Sequence, residues 1–356
     1  MVEWKKLGEV ANLVRGKVIS KDFIRDNAGI YPVYSSQTAN DGVLGYIDSY
    51  MFDGDFLTWT TDGAYAGTIF RRKGRFNITN VCGLMDITDQ RLLQDYLYYW
   101  LSLIAKSYVQ EGMGNPKLMS NVASTIPIPI PSLSEQSRIV SILDTFTSSI
   151  SNLKQQIEER RKQYEYERDL LLDLEGKEGV EMKKLGEVLQ IKKGDYITKK
   201  EAKEGVYPVI LGGKEPAYYI DRYNHVGKAI VISRSGASAG YVSFWNQPIF
   251  ITDGFLIEPK ENVLFEFLYY TLKSKQRELH GSQKGGAIPH VTPASISTIK
   301  SFFPPLSTQS RIVSILDTFE QSISNLEEQL AMREKQYEYY RNQLLTFEGE
   351  EERGKT

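Results

Sequence analysis

A stretch near the middle of this chain is written again near its end. Leu133–Phe146 reads LSEQSRIVSILDTF and Leu306–Phe319 reads LSTQSRIVSILDTF, identical at 13 of 14 positions. Carried on without a gap to Gly176 and Gly349, the two copies agree at 30 of 44 positions. A shorter pair, Glu3–Val10 (EWKKLGEV) and Glu181–Val188 (EMKKLGEV), agrees at 7 of 8. The sequences between these blocks diverge. A period of roughly 175 residues is too long for a solenoid unit, so the chain is a duplicated domain followed each time by a duplicated connector.

Each connector predicts one long helix. From Ser134 to Gly176 there is no proline and no internal glycine. Leu143, Phe146, Ile150, Leu153 and Ile157 step by three and four, continued by Tyr164, Leu171 and Leu174. The second copy sets Leu316, Phe319, Ile323, Leu326 and Leu330 in the same phases, continued by Tyr337, Leu344 and Phe347. That alternation is the apolar seam of a coiled coil. Pro131 and Ser134 mark one start, Pro304, Pro305 and Ser307 the other, and Gly176 and Gly349 the stops. An amphipathic helix lying on its own domain is the plainer alternative, but about 40 residues at 1.5 Å each make a rod of roughly 60 Å, which overhangs so small a domain. The expectation is therefore an α+β protein: two mixed α/β domains separated by two long antiparallel coiled-coil helices in a pseudo-two-fold, cyclic arrangement. The boundaries read from the sequence are 1–132, 133–178, 179–305, 306–349 and a tail at 350–356.

Within the first domain, Asp55–Thr60, Thr68–Arg71 and Val81–Ile87 read as strands and Gln94–Gln110 as a helix; within the second, Lys228–Ser233, Gly240–Trp245 and Gly254–Glu258 precede a helix near Val263–His280. The aromatic pairs Tyr98-Tyr99 and Tyr269-Tyr270 suit helix core better than an exposed stacking surface. Between strands, the loop Thr60–Gly67 (TTDGAYAG) is matched by Ser233–Gly240 (SRSGASAG). It reads as a tight hairpin, and its small residues also let the backbone approach a partner closely. Thr61, Asp62 and Tyr65, and Arg234, Ser235 and Ser238, are its variable positions and could reach base edges. Arg71, Arg72 and Lys73 follow at once and suit phosphate contacts, although charge runs are commonly just solvated. Before the last strand of each domain lies a second Gly-rich stretch, Gly112–Lys117 and Gly281–His290, offering Asn115, Lys117, Lys284 and His290.

Net charge is −2, which taken whole argues against a nucleic-acid partner. By segment, residues 1–130 hold 13 Lys+Arg and 13 Asp+Glu, 180–305 hold 17 and 12, and the connectors are acidic, with 7 against 10 in 134–178 and 6 against 10 in 306–356. Any DNA contact thus falls to the divergent domains, while the connectors face something else. No apolar run is long enough to span a membrane and no charged-then-apolar leader is seen. One cysteine, Cys82, reads as a small buried hydrophobe and fits a reducing cytoplasm. His225, His280 and His290 lack metal-ligand spacing.

These residues resemble the specificity (S) subunit of type I restriction–modification systems. The resemblance rests on PSLSEQSRIVSILD and PPLSTQSRIVSILD at the helix starts, the two KKLGEV blocks and the SRSGASAG loop, and it covers essentially the whole chain. It implies two target-recognition domains that each read one half of a bipartite, asymmetric sequence in double-stranded DNA. Paired helices would fix the gap and dock two methyltransferase (M) subunits, with restriction (R) subunits joining for cleavage. It also implies that the chain is no catalyst, and that S-adenosylmethionine, ATP and Mg²⁺ belong to the partners. A methyltransferase reading fails for want of an Asn/Asp-Pro-Pro-aromatic motif. A nuclease reading could draw on Pro248, Asp253, Glu258 and Lys260, but the first domain has no such set. A coiled-coil scaffold carrying two ligand-binding modules is the remaining alternative.

Overall fold

The computed structural model describes residues 2–111, 114–198, 200, 202–211, 213, 215–281 and 290–347. It is mixed α/β with two long helices, Leu133–Leu172 and Leu306–Leu344. Packing does not follow the boundaries read from the sequence. One compact unit is Met1–Asn152 with Leu330–Thr356, the other Leu153–Gln329. Each long helix thus gives one part to each unit.

In the first unit a six-stranded sheet runs in the order Ala11–Arg15, Cys82–Ile87, Phe52–Thr60, Ile69–Ile78, Ala28–Tyr34, Val43–Ile47. All neighbours are antiparallel except Ala28–Tyr34 beside Ile69–Ile78. The second unit repeats the plan with a break. Leu189–Lys193, Gly254–Pro259, Lys228–Ser233 and Val242–Asn246 form one antiparallel sheet, and Tyr218–Ile220, Tyr207–Ile210 and Phe250–Ile251 a separate one. The break has a local cause. Ile69–Ile78 is long enough to serve both halves of its sheet, whereas its counterpart is interrupted at Gln247-Pro248, and proline has no N–H to give the ladder.

The repeated blocks turn out to be the parts that lock helix to domain. Gln136 and Gln309 are fully buried. The Gln136 carbonyl accepts from Leu93 N–H at 2.8 Å while its amide donates to the Arg91 and Pro131 carbonyls at 2.7 and 2.8 Å. Gln309 does the same with Leu264 N–H and the Asn262 and Pro304 carbonyls, at 2.9, 3.0 and 2.8 Å. One side chain thereby ties the first turn of a long helix to the start of the domain's own helix, Gln94–Ile104 or Phe265–Ser274. A second tie follows two turns on: Tyr99 donates to Asp144 at 2.5 Å and Tyr270 to Asp317 at 2.6 Å. Both tyrosines are buried, each the second member of its pair, Tyr98-Tyr99 or Tyr269-Tyr270. The KKLGEV blocks are edge strands entering a short buried turn. Leu7 N–H donates to the Ile126 carbonyl and Leu185 N–H to Ile299, each at 2.8 Å. A Cβ on Gly8 would meet that of Ser124 at 3.0 Å, and one on Gly186 that of Ser297 at 2.8 Å, so a larger residue at either place would force the facing serine to shift.

Leu143 and Leu316 are buried in the domain cores, with Ile139 and Ile312 beside them, so the first turns of each helix belong to a globular unit. Past them the two long helices meet. In the first unit Phe146 stacks on Tyr340 at 5.3 Å, and Ile150 and Leu330 are half-buried. In the second, Leu153 and Ile157 are buried, Ile323 and Leu326 half-buried, and Phe319 lies against Tyr164. The helix ends also close the cores. Leu345 is buried in the first unit with Tyr337, Leu344 and Phe347 packed around it, and Leu174 is buried in the second with Tyr164 and Leu171. The 350–356 tail lies outside the described residues.

Two outcomes follow for stability. Gln136→Ala leaves one N–H and two carbonyls unpaired in the interior, at roughly 1–3 kcal/mol for each buried group stranded without water; calorimetry should show the first unit melting lower while the second is unchanged. Glu320, which accepts from Tyr164 at 3.1 Å, has its pKa raised chiefly by burial. A raised carboxyl pKa means this group favours folding at low pH and loses that contribution as pH rises through its folded pKa. Glu320→Gln should therefore raise the melting temperature of the second unit at pH 8 and leave it near wild type at pH 4; an equal effect at both would remove ionisation as the cause.

Candidate nucleic-acid interface

The two loops singled out above share one backbone. In each the closing glycine donates back to the opening residue: Gly67 N–H to the Thr60 carbonyl at 2.8 Å, Gly240 N–H to Ser233 at 2.9 Å. Gly63, Gly67, Gly236 and Gly240 all have positive φ, between 78° and 91°, where a side chain is strained. Gly67 and Gly240 also sit flush against a helix end. A Cβ on Gly240 would come within 2.9 Å of the Leu279 backbone, and one on Gly67 within 3.0 Å of Val109.

The second Gly-rich stretch comes to the same place. Leu118 N–H donates to the Thr61 carbonyl and Val291 N–H to Arg234, both at 2.9 Å, and Asp62 bridges Lys117 as Ser235 bridges His290. Two segments about fifty residues apart in sequence therefore form one tip in each domain. In the first unit Asp62 is flanked by Lys117 at 3.6 Å and Arg15 at 3.8 Å, and its carboxylate also accepts from Thr61 Oγ1 at 2.6 Å. Tyr65 is 55% exposed and Asn115 is exposed. In the second unit Asp253 holds Arg234 at 3.5 Å and accepts from Ser235 Oγ, while Ser238 is exposed. Each tip thus offers donors, acceptors and at least one cation on a backbone held at both ends. Arg15 was not singled out from sequence, and Asp253 only as one of a candidate nuclease set. Each lies far along the chain from the loop it serves, and no local pattern marks it.

Several expected contacts lie elsewhere. Thr61 is fully buried and presents no side chain to a partner. Arg72 is an interior residue: its guanidinium lies 3.6 Å from the Tyr34 ring centre, pairs with Asp41 at 2.6 Å and donates to Thr58 at 3.2 Å. The strand alternates, so Arg72 faces the core and cannot meet a phosphate. Arg71 is engaged with Asp95 at 2.7 Å and Asp144 at 3.4 Å and rests on the Tyr98 and Tyr99 rings, which makes it part of the helix attachment. Lys73 is the most exposed of the three, beside Asp55 at 3.7 Å, six residues beyond the loop. Lys284 lies outside the described residues, as do Gly112 and Met113. The acidic set that suggested a nuclease is dispersed: Asp253 serves Arg234 and Ser235, Glu258 pairs with Lys192, and Lys260 donates to the Gly186 carbonyl. Among the described residues no three His, Cys, Asp or Glu side chains are grouped to hold a metal, and no helix is long and apolar enough to cross a membrane. Cys82 is buried, and burial pushes its thiol pKa up to about 12.

Two repeat-related α/β domains, each clamped to a long helix and each ending in a loop tip of constant backbone and differing side chains, define a duplicated recognition subunit. The chain belongs to the type I restriction modification DNA specificity domain family, whose model matches it twice, over residues 1–160 and 177–332. It is 30% identical over 356 residues to a protein of Mycoplasma pneumoniae named as a type I specificity subunit, with 96% of both chains covered. A Haemophilus influenzae protein named as a type I restriction enzyme specificity subunit is 31% identical over 382 residues, covering 97% of this chain and 96% of that one. In fold it is similar to the crystal structure of the S subunit of the type I system from M. genitalium, with a TM-score of 0.70 at 18% identity, covering 97% of each chain.

The glycines of the loop separate two effects. Gly236→Ala meets open space and bears only the positive-φ strain, whereas Gly240→Ala adds a clash with the Leu279 backbone. Gly240→Ala should cost the second unit at least 1–3 kcal/mol and clearly more than Gly236→Ala, measured by denaturant unfolding; equal losses would show that the loop is not seated on the helix end.

Proposed function

We propose that this chain is the DNA-reading, non-catalytic subunit of a cytoplasmic type I restriction–modification complex. Each loop tip reads one half of a bipartite, asymmetric target in double-stranded DNA. What carries this reading is the pairing of sameness and difference: the two tips share their backbone while Asp62, Tyr65 and Lys117 stand where the other has Ser235, Ser238 and His290. A fixed scaffold with exchanged donors and acceptors is what two unlike half-sites require. The long helices, at about 1.5 Å per residue, serve as spacers that fix the gap.

The helices also suit two copies of one partner. Ser134, Ser137, Arg138, Ser141 and Thr145 are exposed, and so are the identical Ser307, Ser310, Arg311, Ser314 and Thr318. Burial explains why Gln136, Ile139 and Leu143 recur; it does not explain these. Two near-identical outward faces fit two methyltransferase subunits, with restriction subunits joining the assembly. S-adenosylmethionine, ATP and Mg²⁺ would be held by those partners. The modest charge of this chain accords with partners supplying part of the phosphate neutralisation.

Arg234→Ala should relax or abolish recognition at one half-site only, read from methylated positions across a genome; uniform weakening on all sequences would make Arg234 a phosphate contact instead. Ser141→Arg should leave one methyltransferase subunit bound and Ser141→Arg with Ser314→Arg none, by native mass spectrometry, with folding intact. A gel shift indifferent to sequence, with and without methyltransferase, would favour a scaffold of another kind.

A further inference from the structure

The seam between the long helices poses a problem of partner choice. Its apolar residues hardly differ between copies: Phe146, Ile150, Leu153 and Ile157 in the first helix answer to Phe319, Ile323, Leu326 and Leu330 in the second. Two first helices, or two second helices, would bury such a seam about as well as one of each. The arginine over each phenylalanine is also neutral to the choice, since Arg333 rests on Phe146 as Arg160 rests on Phe319.

The flanking charges are not neutral. In the second unit Arg161 pairs with Glu327 across the seam. Leu133 and Leu306 are 173 residues apart, and in that register Glu327 corresponds to Lys154 and Arg161 to Glu334. Two first helices in the observed antiparallel register would set Arg161 against Lys154 of the other copy. Two second helices would set Glu327 against Glu334. By the symmetry of a like pair, each bad contact would occur twice. A third difference acts in the same direction. Phe146 stacks on Tyr340, and Tyr340 corresponds to Glu167, so two first helices would replace an aromatic stack with a carboxylate against a ring.

We propose that these flanking residues make the seam heterospecific: a first long helix accepts a second long helix as its partner and rejects another copy of itself. Like charges opposed across a coiled coil select partners by penalising the wrong ones. The two connectors can therefore stay nearly identical on their outer faces without each unit pairing with its own duplicate.

The test uses the full chain with a protease site placed in the 175–179 linker and nicked after folding. Two preparations differing in tag are mixed, unfolded in urea, refolded together and sorted by native mass spectrometry. First-half with second-half pairs should outnumber like pairs by at least tenfold. With Arg161→Glu the new carboxylate would meet Lys154 in a like pair and Glu327 in a mixed one, so first-half like pairs should rise at least tenfold. Abundant like pairs in the wild-type mixture, or no rise with Arg161→Glu, would overturn the proposal. The intact chain gives a second reading should the nicked halves fail to refold. Arg161→Glu and Glu327→Arg should each lower the melting temperature and together restore it; no restoration would equally overturn the proposal.

Discussion

Everything in each unit hangs from a buried glutamine. Gln136 and Gln309 each satisfy an N–H and two carbonyls that would otherwise be stranded where a long helix leaves its domain. A helix start is poor in partners, because its first N–H groups have none within the helix. Here the deficit lies at the junction of two helices and a proline turn, and one amide with two donors and an acceptor fits it. The Tyr99–Asp144 and Tyr270–Asp317 bonds then set the angle at which the helix departs. With two fixed points a rigid direction follows.

This explains which part of the duplication stayed constant. Recurring residues include those that build the attachment (Leu7, Gly8, Gln136, Ile139, Leu143, Asp144), those of the helix–helix seam (Phe146, Ile150, Leu153) and those that face outward on the first turns of the helices. The remainder of each domain was free to change so long as the attachment held. Even the sheet could break in two at Pro248 without disturbing the loop at Ser233–Gly240, because that loop is secured by the Gly240 turn, Val291 and the Leu279 backbone of the short helix Gln276–Gly281.

Long helices, their stops, several strands and the kinship of the two loops were legible in the residues themselves, because each depends on spacing along the chain. Lys228–Ser233 is a strand over just the span expected. Contacts that join distant segments were not legible. Arg72 looked like one member of a basic run; strand alternation turned it inward between the aromatic rings of Tyr34 and Phe70 while Lys73 stayed in solvent. Arg71 was claimed by Asp144, seventy-three residues away. The union of the TTDGAYAG loop with the Asn115–Lys117 segment was likewise invisible, since it is made by backbone bonds that any residues could form.

Packing of the helix ends has a consequence for synthesis. Leu345 is buried in the same core as Trp59 and Trp100, and Phe347 lies against Trp4 and Trp100. The core of the first unit therefore cannot be sealed until Leu345 and Phe347 have been made, whereas residues 153–329 hold the core of the other unit. The unit whose strands come earlier in sequence is the later of the two to be completed.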